Sequence, residues 1–430
     1  MADDTIADVH AWQALDSRGR PTVGVTVTTS AGHVGRVVVP SGASTGSHEA
    51  VELRDRESAY AGWGVRGAVR NVNDVIGPAL TGKRVRDQVA IDTVLEELDG
   101  TPNLARLGAN AVLAVSIATY VCAAESARMP LYAYVDEEAG DLLLPRPMFN
   151  IVSGGAHAGR LIDIQDVLAV PLAAETFDEA LEVGCRVRAG TAAAFDARKL
   201  ESNLVADEGG LAGRLAGNRD ALDLVVEGIE RSGLTPGVDV GIALDIAATQ
   251  FHDGTTYTLR AEGRALSTAE LVAELRDWCE GYPIVSIEDP LAEDDWEGWV
   301  QASRTLGEGR QLLGDDLFAT NLQRLQRGVE LAAGNAVLVK PNQAGTITRT
   351  RAVIRYARAH GYATVLSARS GDTEDCWLAD LAVGWRTGQI KVGSTMRSER
   401  TAKWNRLLEI ESRAGGRSRL AAPPVVRRVT

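Results

Sequence analysis

The segment from residue 335 to residue 346, NAVLVKPNQAGT, decides the fold, because its apolar run Val337-Leu338-Val339 has no polar face. Such a run is typical of a strand in a parallel sheet that is covered on both sides. It ends in Lys340, one of only five lysines among the 45 Lys and Arg residues of the chain. Because an ammonium group can lose its proton and a guanidinium group cannot, we expect Lys340 to take part in chemistry.

Apolar runs of the same kind recur along the chain, and each ends in or just before a polar residue. They are VGIALD (240–245), PIVSIED (283–289), RQLLGDD (310–316), YATVLSARS (362–370) and GQIKVG (388–393). The predicted strand ends at residues 288, 315, 340, 367 and 391 are 27, 25, 27 and 24 residues apart, which fits repeated βα units. Such units form an open parallel sheet or a closed barrel, and the predicted fold class is α/β.

The first third of the chain has a different pattern. Val23, Val25 and Val27 alternate with polar residues, and a short turn leads to a second apolar run, VGRVVVP (34–40). This pattern predicts an antiparallel hairpin, and helical patterns follow to about residue 135. We therefore predict an α+β domain over residues 1–138 and a barrel domain over residues 139–430.

The composition excludes several functional classes. A net charge of −13 argues against nucleic-acid binding. The four cysteines form no CxxC pair, and the N-terminus has no signal pattern, so we expect a cytoplasmic protein without disulfides or zinc. The most apolar segment, residues 108–127, contains Asn110, Ser116 and Thr119, and we predict a buried core helix there rather than a membrane span.

Three of the predicted strands end in carboxylates, namely Asp245, Glu288 and Asp315. Because all strands of a parallel barrel open at one face, these side chains should converge and repel one another. A bound cation removes this conflict, and an all-oxygen ligand set favours Mg²⁺ or Mn²⁺. The alternative is that each acid only caps the helix that follows its strand.

A divalent cation near Lys340 should lower the pKa of this lysine. A neutral Lys340 could then remove a proton from the carbon beside a carboxylate, while the metal stabilises the enediolate that forms. The alternative is a salt bridge inside the barrel.

Three loops carry further candidate residues. The segment SGASTGSHEA (41–50) has the small residues of a phosphate-binding loop, although ordinary turns look similar. The segment from Asn150 to Asp166 contains His157, and VADEGG (205–210) places Glu208 before two glycines.

Taken together, these motifs resemble the enolase family from about residue 10 to residue 412. The resemblance is carried by LDSRGRPTV, PSGASTGSHEAVELRD, LGANAVLAVS, SGGAHAG, DEGG, IALD, SIEDP, GDDLFATN, LVKPNQAGT, RSGDTED and RSER. It implies an α+β N-terminal domain, a C-terminal (β/α)8 barrel whose second strand is antiparallel, and a homodimer or higher homo-oligomer. It also implies a hydro-lyase that acts on a phosphorylated hydroxy acid.

The resemblance assigns a role to each candidate residue. It implies that Asp245, Glu288 and Asp315 hold Mg²⁺, that Ser44 brings in a second Mg²⁺, and that Lys340 is the base. Lys391 would stabilise the charged intermediate, and Glu208 would protonate the leaving hydroxyl. The remaining residues would contact the substrate or its leaving group, namely His157, Gln165, Asp166, Arg369 and Ser370.

Two positions depart from the family pattern. Asp166 stands where the family has glutamate, and Ala368 stands where it has histidine. The departures favour a specialised paralogue acting on a phosphonate or phosphinate analogue, such as one that forms carboxyphosphonoenolpyruvate. The alternatives are an ordinary enolase, which converts 2-phosphoglycerate to phosphoenolpyruvate, and a non-catalytic scaffold.

Overall fold

The computed structural model describes residues 4–42, 46–138 and 140–424. Within these ranges it has fifteen strands. They are β1 (Ile6–Leu15), β2 (Pro21–Thr29), β3 (Val34–Val38), β4 (Leu142–Leu144), β5 (Arg146–Ser153), β6 (Asp166–Pro171), β7 (Val240–Asp245), β8 (Tyr257–Leu259), β9 (Arg264–Leu266), β10 (Ile284–Glu288), β11 (Gln311–Gly314), β12 (Ala336–Val339), β13 (Ala363–Ser367), β14 (Gly388–Gly393) and β15 (Ser418–Leu420).

The same ranges contain fourteen α-helices. They are α1 (Arg66–Asn71), α2 (Gly77–Leu80), α3 (Gln88–Asp99), α4 (Ala109–Ser126), α5 (Leu131–Val135), α6 (Phe177–Ala197), α7 (Asn218–Arg231), α8 (Thr268–Gly281), α9 (Trp296–Leu306), α10 (Leu322–Leu331), α11 (Pro341–Ala344), α12 (Ile347–Ala359), α13 (Trp377–Gly384) and α14 (Ser398–Ala414).

The N-terminal part is a three-stranded antiparallel sheet in the order β1-β2-β3, packed against helices. Val23, Val25 and Val27 are fully buried, as the alternating pattern predicted. Helix α4 packs against β2 and β3. By length and composition α4 could cross a membrane, but 89% of its 18 residues are buried inside the protein. It is therefore placed as the central helix of this core.

Eight strands close into a barrel in the order β5-β6-β7-β10-β11-β12-β13-β14, with β14 pairing back to β5. Strand β6 pairs antiparallel with both β5 and β7, and the other neighbours pair in parallel. The α/β class, the closed barrel and the antiparallel second strand are thereby confirmed.

The period of two along each strand directs the polar strand ends into the barrel. In β12, Leu338 lies in the apolar cluster inside the barrel, whereas Val337 and Val339 pack outward against the core under the helices. The next inward position after Leu338 is Lys340. By the same spacing, Asp245 follows the interior Ala243 and Asp315 follows the interior Leu313.

The N-terminal part contacts the same end of the barrel. The backbone of Ser41 exchanges two hydrogen bonds with Gly371, at 2.8 and 3.0 Å. The backbone N–H of Ala50 donates to the carbonyl of Gln343 at 2.9 Å. The loop before Ala50 thus lies beside the ends of β12 and β13.

Candidate active site

Two of the three predicted metal ligands meet at one lysine, and the third, Asp315, pairs with Lys340. The Nζ of Lys391 lies 2.7 Å from Asp245 Oδ2 and 2.7 Å from Glu288 Oε2. The other oxygen of Glu288, Oε1, is buried and has no hydrogen-bond partner among the described residues. A buried carboxylate oxygen without a partner is costly unless a cation or a donor meets it.

The electrostatics of this cluster fit a cation as well. Burial is the largest cause that raises the pKa of Glu288 well above its usual value, and repulsion from Asp245 and Asp315 adds to it. A divalent ion would offset both effects. Because the donors are all carboxylate oxygens, the residues present fit Mg²⁺ better than zinc.

Asp289 is a fourth acid at this end of the barrel, and the sequence analysis gave it no role. Its carboxylate accepts hydrogen bonds from the backbone N–H groups of Asp315, at 3.0 Å, and Asp316, at 2.7 Å. Ligand oxygens of these three residues lie within 4.8 Å of one another. Asp289 therefore fixes the backbone that presents Asp315, and its place directly after Glu288 was the signal in the sequence.

Lys340 reaches the predicted site, where its amine pairs with one of the predicted metal ligands. Its Nζ lies 2.5 Å from Asp315 Oδ2. Burial lowers the pKa of Lys340, but attraction to Asp315 outweighs burial and raises the pKa. The salt-bridge alternative thus describes the pairing in this structure, and it places the lysine beside a predicted metal ligand.

His157 lies between two acids. Its Nδ1 is 2.9 Å from Asp166 Oδ2, and its Nε2 is 3.9 Å from Glu208 Oε1. Burial lowers the pKa of His157, but attraction to Asp166 and Glu208 outweighs it and raises the pKa to about 9. Burial also raises the pKa of Glu208, but attraction to His157 and Arg400 lowers it below its usual value. At neutral pH the proton of this pair therefore resides on His157.

Two residues that the sequence did not indicate as site residues donate hydrogen bonds to Asp166. Its Oδ1 accepts hydrogen bonds from Asn150 Nδ2 at 2.5 Å and from Ser153 Oγ at 2.8 Å. With His157 on the other oxygen, the buried carboxylate has three donors. All three precede Asp166 by sixteen residues or fewer.

We expect Asp166→Asn to lower the pKa of His157 from about 9 toward its unperturbed value of 6.5, because a carboxylate that favours the imidazolium is lost. A folded-state pKa above the unfolded value stabilises the fold fully below about pH 6.5, and this contribution is lost as the pH rises through about 9. We assign the alkaline limb of the pH–rate profile to deprotonation of His157, so this limb should move toward neutrality in the variant.

The measurement is a pH–rate profile together with an NMR titration of the imidazole. Asp163→Asn is the matched control, because Asp163 lies three residues before Asp166 and accepts a hydrogen bond from the backbone N–H of Ala261 instead. An alkaline limb that stays in place in Asp166→Asn would refute the assignment of that limb to His157.

One small cavity brings eight of the predicted residues together. It is lined by His157, Gln165, Glu208, Asp245, Lys340, Ser367, Ala368, Arg369, Ser370 and Lys391. Of the other predicted residues, Glu288, Asp315 and Asp166 do not line it and contact its lining side chains instead. Ser44 lies outside the described residues.

Gln165 and Arg369 are each held by a residue outside the predicted set. Gln165 donates to Asp245 Oδ2 at 3.0 Å and accepts from Gln250 at 2.6 Å. The buried guanidinium of Arg400 donates to the carbonyl oxygens of Arg369 and Ser370, each at 2.7 Å. Arg400 lies in the segment RSER, which carries the family resemblance. The sequence did not indicate that this arginine holds the backbone of Arg369 and Ser370.

A larger cavity of about 490 Å³ lies at the opposite end of the barrel, where the parallel strands begin. Its lining includes Arg310, Arg358 and Arg419 but no carboxylate among the described residues. Because barrel enzymes build their active sites at the carboxyl ends of the strands, we place the site in the smaller cavity.

An eight-stranded barrel with an antiparallel second strand, and with acids, lysines and a histidine at its carboxyl-terminal mouth, defines a barrel enzyme equipped for proton transfer. Two family models match the chain: "Enolase, N-terminal domain" over residues 6–135 and "Enolase, C-terminal TIM barrel domain" over residues 141–427. The chain is 49% identical over 417 residues to "Enolase 1" of Desulfitobacterium hafniense (strain Y51), covering 96% of this chain and 95% of that protein.

The chain belongs to the enolase family. It is therefore an enzyme, a carbon–oxygen hydro-lyase, of a family that uses Mg²⁺ and acts on a phosphorylated hydroxy acid. The scaffold alternative loses its support.

Proposed function

We propose that this protein dehydrates 2-phosphoglycerate to phosphoenolpyruvate with Mg²⁺ as cofactor. The observation that carries the proposal is the position of Lys340, beside Asp315 and in the same cavity as Lys391, Glu208 and Arg369. Identity to an enolase over almost the whole chain supports this reaction over the specialised one that the sequence analysis favoured.

Each residue has a separate task in the proposed reaction. Lys340, whose attraction to Asp315 a bound cation would offset, accepts the proton from C2 of the substrate, which its unbranched side chain can reach from the end of β12. Lys391 lines the same cavity and stabilises the negative charge that develops on the substrate carboxylate. Mg²⁺ held by Asp245, Glu288 and Asp315 would supply Lewis-acid stabilisation of the same charge.

The second half of the reaction removes the C3 hydroxyl. The pair of His157 and Glu208 carries the proton that the leaving hydroxyl requires, and Asp166 holds His157 in orientation. Arg369 and Ser370 contact the phosphate, and Gln165 contacts the substrate beside Asp245. Ser44 is proposed to bring in a second Mg²⁺.

The experiment combines purified protein, Mg²⁺ and 2-phosphoglycerate and follows the ultraviolet absorbance of the enolpyruvate product. We expect kcat/KM of at least about 10⁴ M⁻¹s⁻¹, the lower end of the usual enzyme range. Absence of turnover with this substrate, in protein that still binds Mg²⁺, would refute the proposal.

Ala368, in the cavity wall, favours a second candidate function, the specialised reaction on a carboxyphosphono analogue. Ala368 lines the cavity next to Arg369, so no imidazole reaches the anion-binding region from this position. A specialised enzyme acting on a carboxyphosphono analogue would use that space for a larger group on C2.

Ala368→His separates the two candidates. For an enzyme already tuned to 2-phosphoglycerate, we expect the added imidazole to overfill a buried position and to change kcat/KM by less than about 10-fold. A rise of about 100-fold or more, with loss of activity on the carboxyphosphono analogue, would favour the specialised enzyme. Ala368→Leu is the control, because it adds volume without a ring nitrogen.

We further propose a homodimer or higher homo-oligomer in the cytoplasm. The proposed ligands are the small-molecule substrate and the metal. Because the net charge is −13, we expect no nucleic-acid or membrane partner. The division at residues 138 and 139 remains our prediction for the domain boundary.

A further inference from the structure

Arg369, the proposed phosphate ligand, already faces a carboxylate of the protein itself. Its Nη1 lies 2.9 Å from Glu49 Oε2, and its Nη2 donates to Glu49 Oε1 at 3.3 Å. Both side chains are buried, at 3% and 6% exposure. The two residues are 320 positions apart in the chain, so the N-terminal part supplies this acid to the barrel.

Glu49 is fixed in this position by neighbours on both sides. Its Oε1 also accepts from the backbone N–H of Gly46 at 3.0 Å and from Gln343 Nε2 at 3.3 Å. A side chain at Gly42 would collide with the Arg369 guanidinium, so the same loop encloses the arginine. The carboxylate is therefore a built-in part of the site and not a surface contact.

A carboxylate and a phosphate group compete for the same guanidinium. Both are anions that form bidentate hydrogen bonds with arginine, and they repel each other strongly in a buried site. We propose that Glu49 is an internal counter-ion of Arg369 that competes with the anionic group of the substrate and so sets its affinity. This inference rests on the proposed role of Arg369 as an anion ligand.

Removing the charge of Glu49 should strengthen phosphate binding, whereas a substitution that only disturbs the site should weaken it. Glu49→Gln keeps the shape of the side chain and one acceptor oxygen but removes its charge. We expect the variant to bind inorganic phosphate at least about 10-fold more tightly than the natural protein, a difference of about 1.4 kcal/mol. A residue that only supported the loop would weaken phosphate binding when it is replaced.

Glu293→Gln is the matched control. Glu293 also joins the loop to the barrel, because it accepts hydrogen bonds from Ser47 Oγ at 2.6 Å and from Ser47 N at 3.1 Å. It does not contact Arg369 in any described hydrogen bond or ion pair. Loss of its charge should loosen the loop without releasing the guanidinium, and phosphate affinity should change by less than about 3-fold.

The experiment uses the full chain with Mg²⁺ and inorganic phosphate as the probe. Phosphate affinity is measured by calorimetry and as the constant for competitive inhibition of 2-phosphoglycerate turnover, so that binding elsewhere is not counted. Circular dichroism confirms that each variant is folded. Glu49→Asp, whose carboxylate is withdrawn by one methylene group, provides a second variant and should bind phosphate more tightly than the natural protein.

Arg369→Gln tests the proposed role of Arg369 as an anion ligand separately from the proposed role of Glu49 as its counter-ion. If this variant loses phosphate binding in calorimetry while Glu49→Gln shows unchanged or weaker phosphate binding, the inference is wrong and the proposed function stands. If Arg369→Gln keeps its phosphate binding, the role of Arg369 fails and the inference fails with it. Tighter binding in Glu49→Gln together with loss in Arg369→Gln supports both.

Discussion

Replacing Lys340 by alanine should lower kcat for 2-phosphoglycerate by about 10²- to 10⁴-fold, the range that a general base contributes. The amine lies 2.5 Å from Asp315, and no other lysine besides Lys391 lines the described cavity. Lys391 is already held between Asp245 and Glu288 and has no equivalent position from which to replace it. Steady-state kinetics at saturating Mg²⁺ measure the effect.

Lys340→Arg provides the matched control for charge. A guanidinium preserves the positive charge beside Asp315 but cannot act as a base at neutral pH. We therefore expect the arginine variant to be as inactive as the alanine variant while keeping more of the stability of the natural protein. Activity of either variant within about 10-fold of the natural enzyme would contradict the assignment.

Glu288→Gln is expected to separate stability from activity. In the metal-free protein, the buried carboxylate is unfavourable, because burial and repulsion from Asp245 raise its pKa well above the usual value. Glutamine keeps nearly the same volume and removes the repulsion from Asp245 and Asp315, and Lys391 keeps its ion pair with Asp245, so we expect the fold to tolerate the change. Activity should fall by at least about 10³-fold, because a ligand of the metal is lost.

Thermal unfolding with and without Mg²⁺ measures the stability and its response to the metal, and steady-state kinetics measure the activity. The natural protein should gain stability when Mg²⁺ is added, because an ion that binds only the folded state shifts the equilibrium toward it. Glu288→Gln should lose most of this gain, whereas Glu293→Gln, an acid at the same end of the barrel, should keep it. A Glu288→Gln variant that keeps the full Mg²⁺ response would show that the metal is held elsewhere.

The barrel was predictable because its signal is local. Apolar runs at regular spacing gave the βα units, and the alternation along β12 explains why Lys340 faces inward after Leu338. The residue pattern left an open sheet and a closed barrel equally possible, since closure depends on β14 meeting β5, more than two hundred residues apart. Only the resemblance to enolases supplied closure and the antiparallel β6.

The sequence predicted which residues form the site better than it predicted how their charged side chains pair. Sequence identified the acids and lysines at the strand ends, but it left open whether Lys340 forms a salt bridge inside the barrel, and the structure pairs this lysine with Asp315. Glu49 escaped notice because its partner, Arg369, lies 320 residues away. Asn150 and Ser153 were missed for another reason: an amide and a hydroxyl behind Asp166 have no signature in a single sequence.

Exchange of the C2 proton with solvent is the most direct test of a lysine base at the mouth of this barrel. The protein is incubated with Mg²⁺ and 2-phosphoglycerate in D₂O, and the substrate that remains is examined by NMR before conversion is complete. The account predicts deuterium at C2 with the natural enzyme and none with Lys340→Ala. Deuterium incorporation that persists in Lys340→Ala would mean that another group removes this proton.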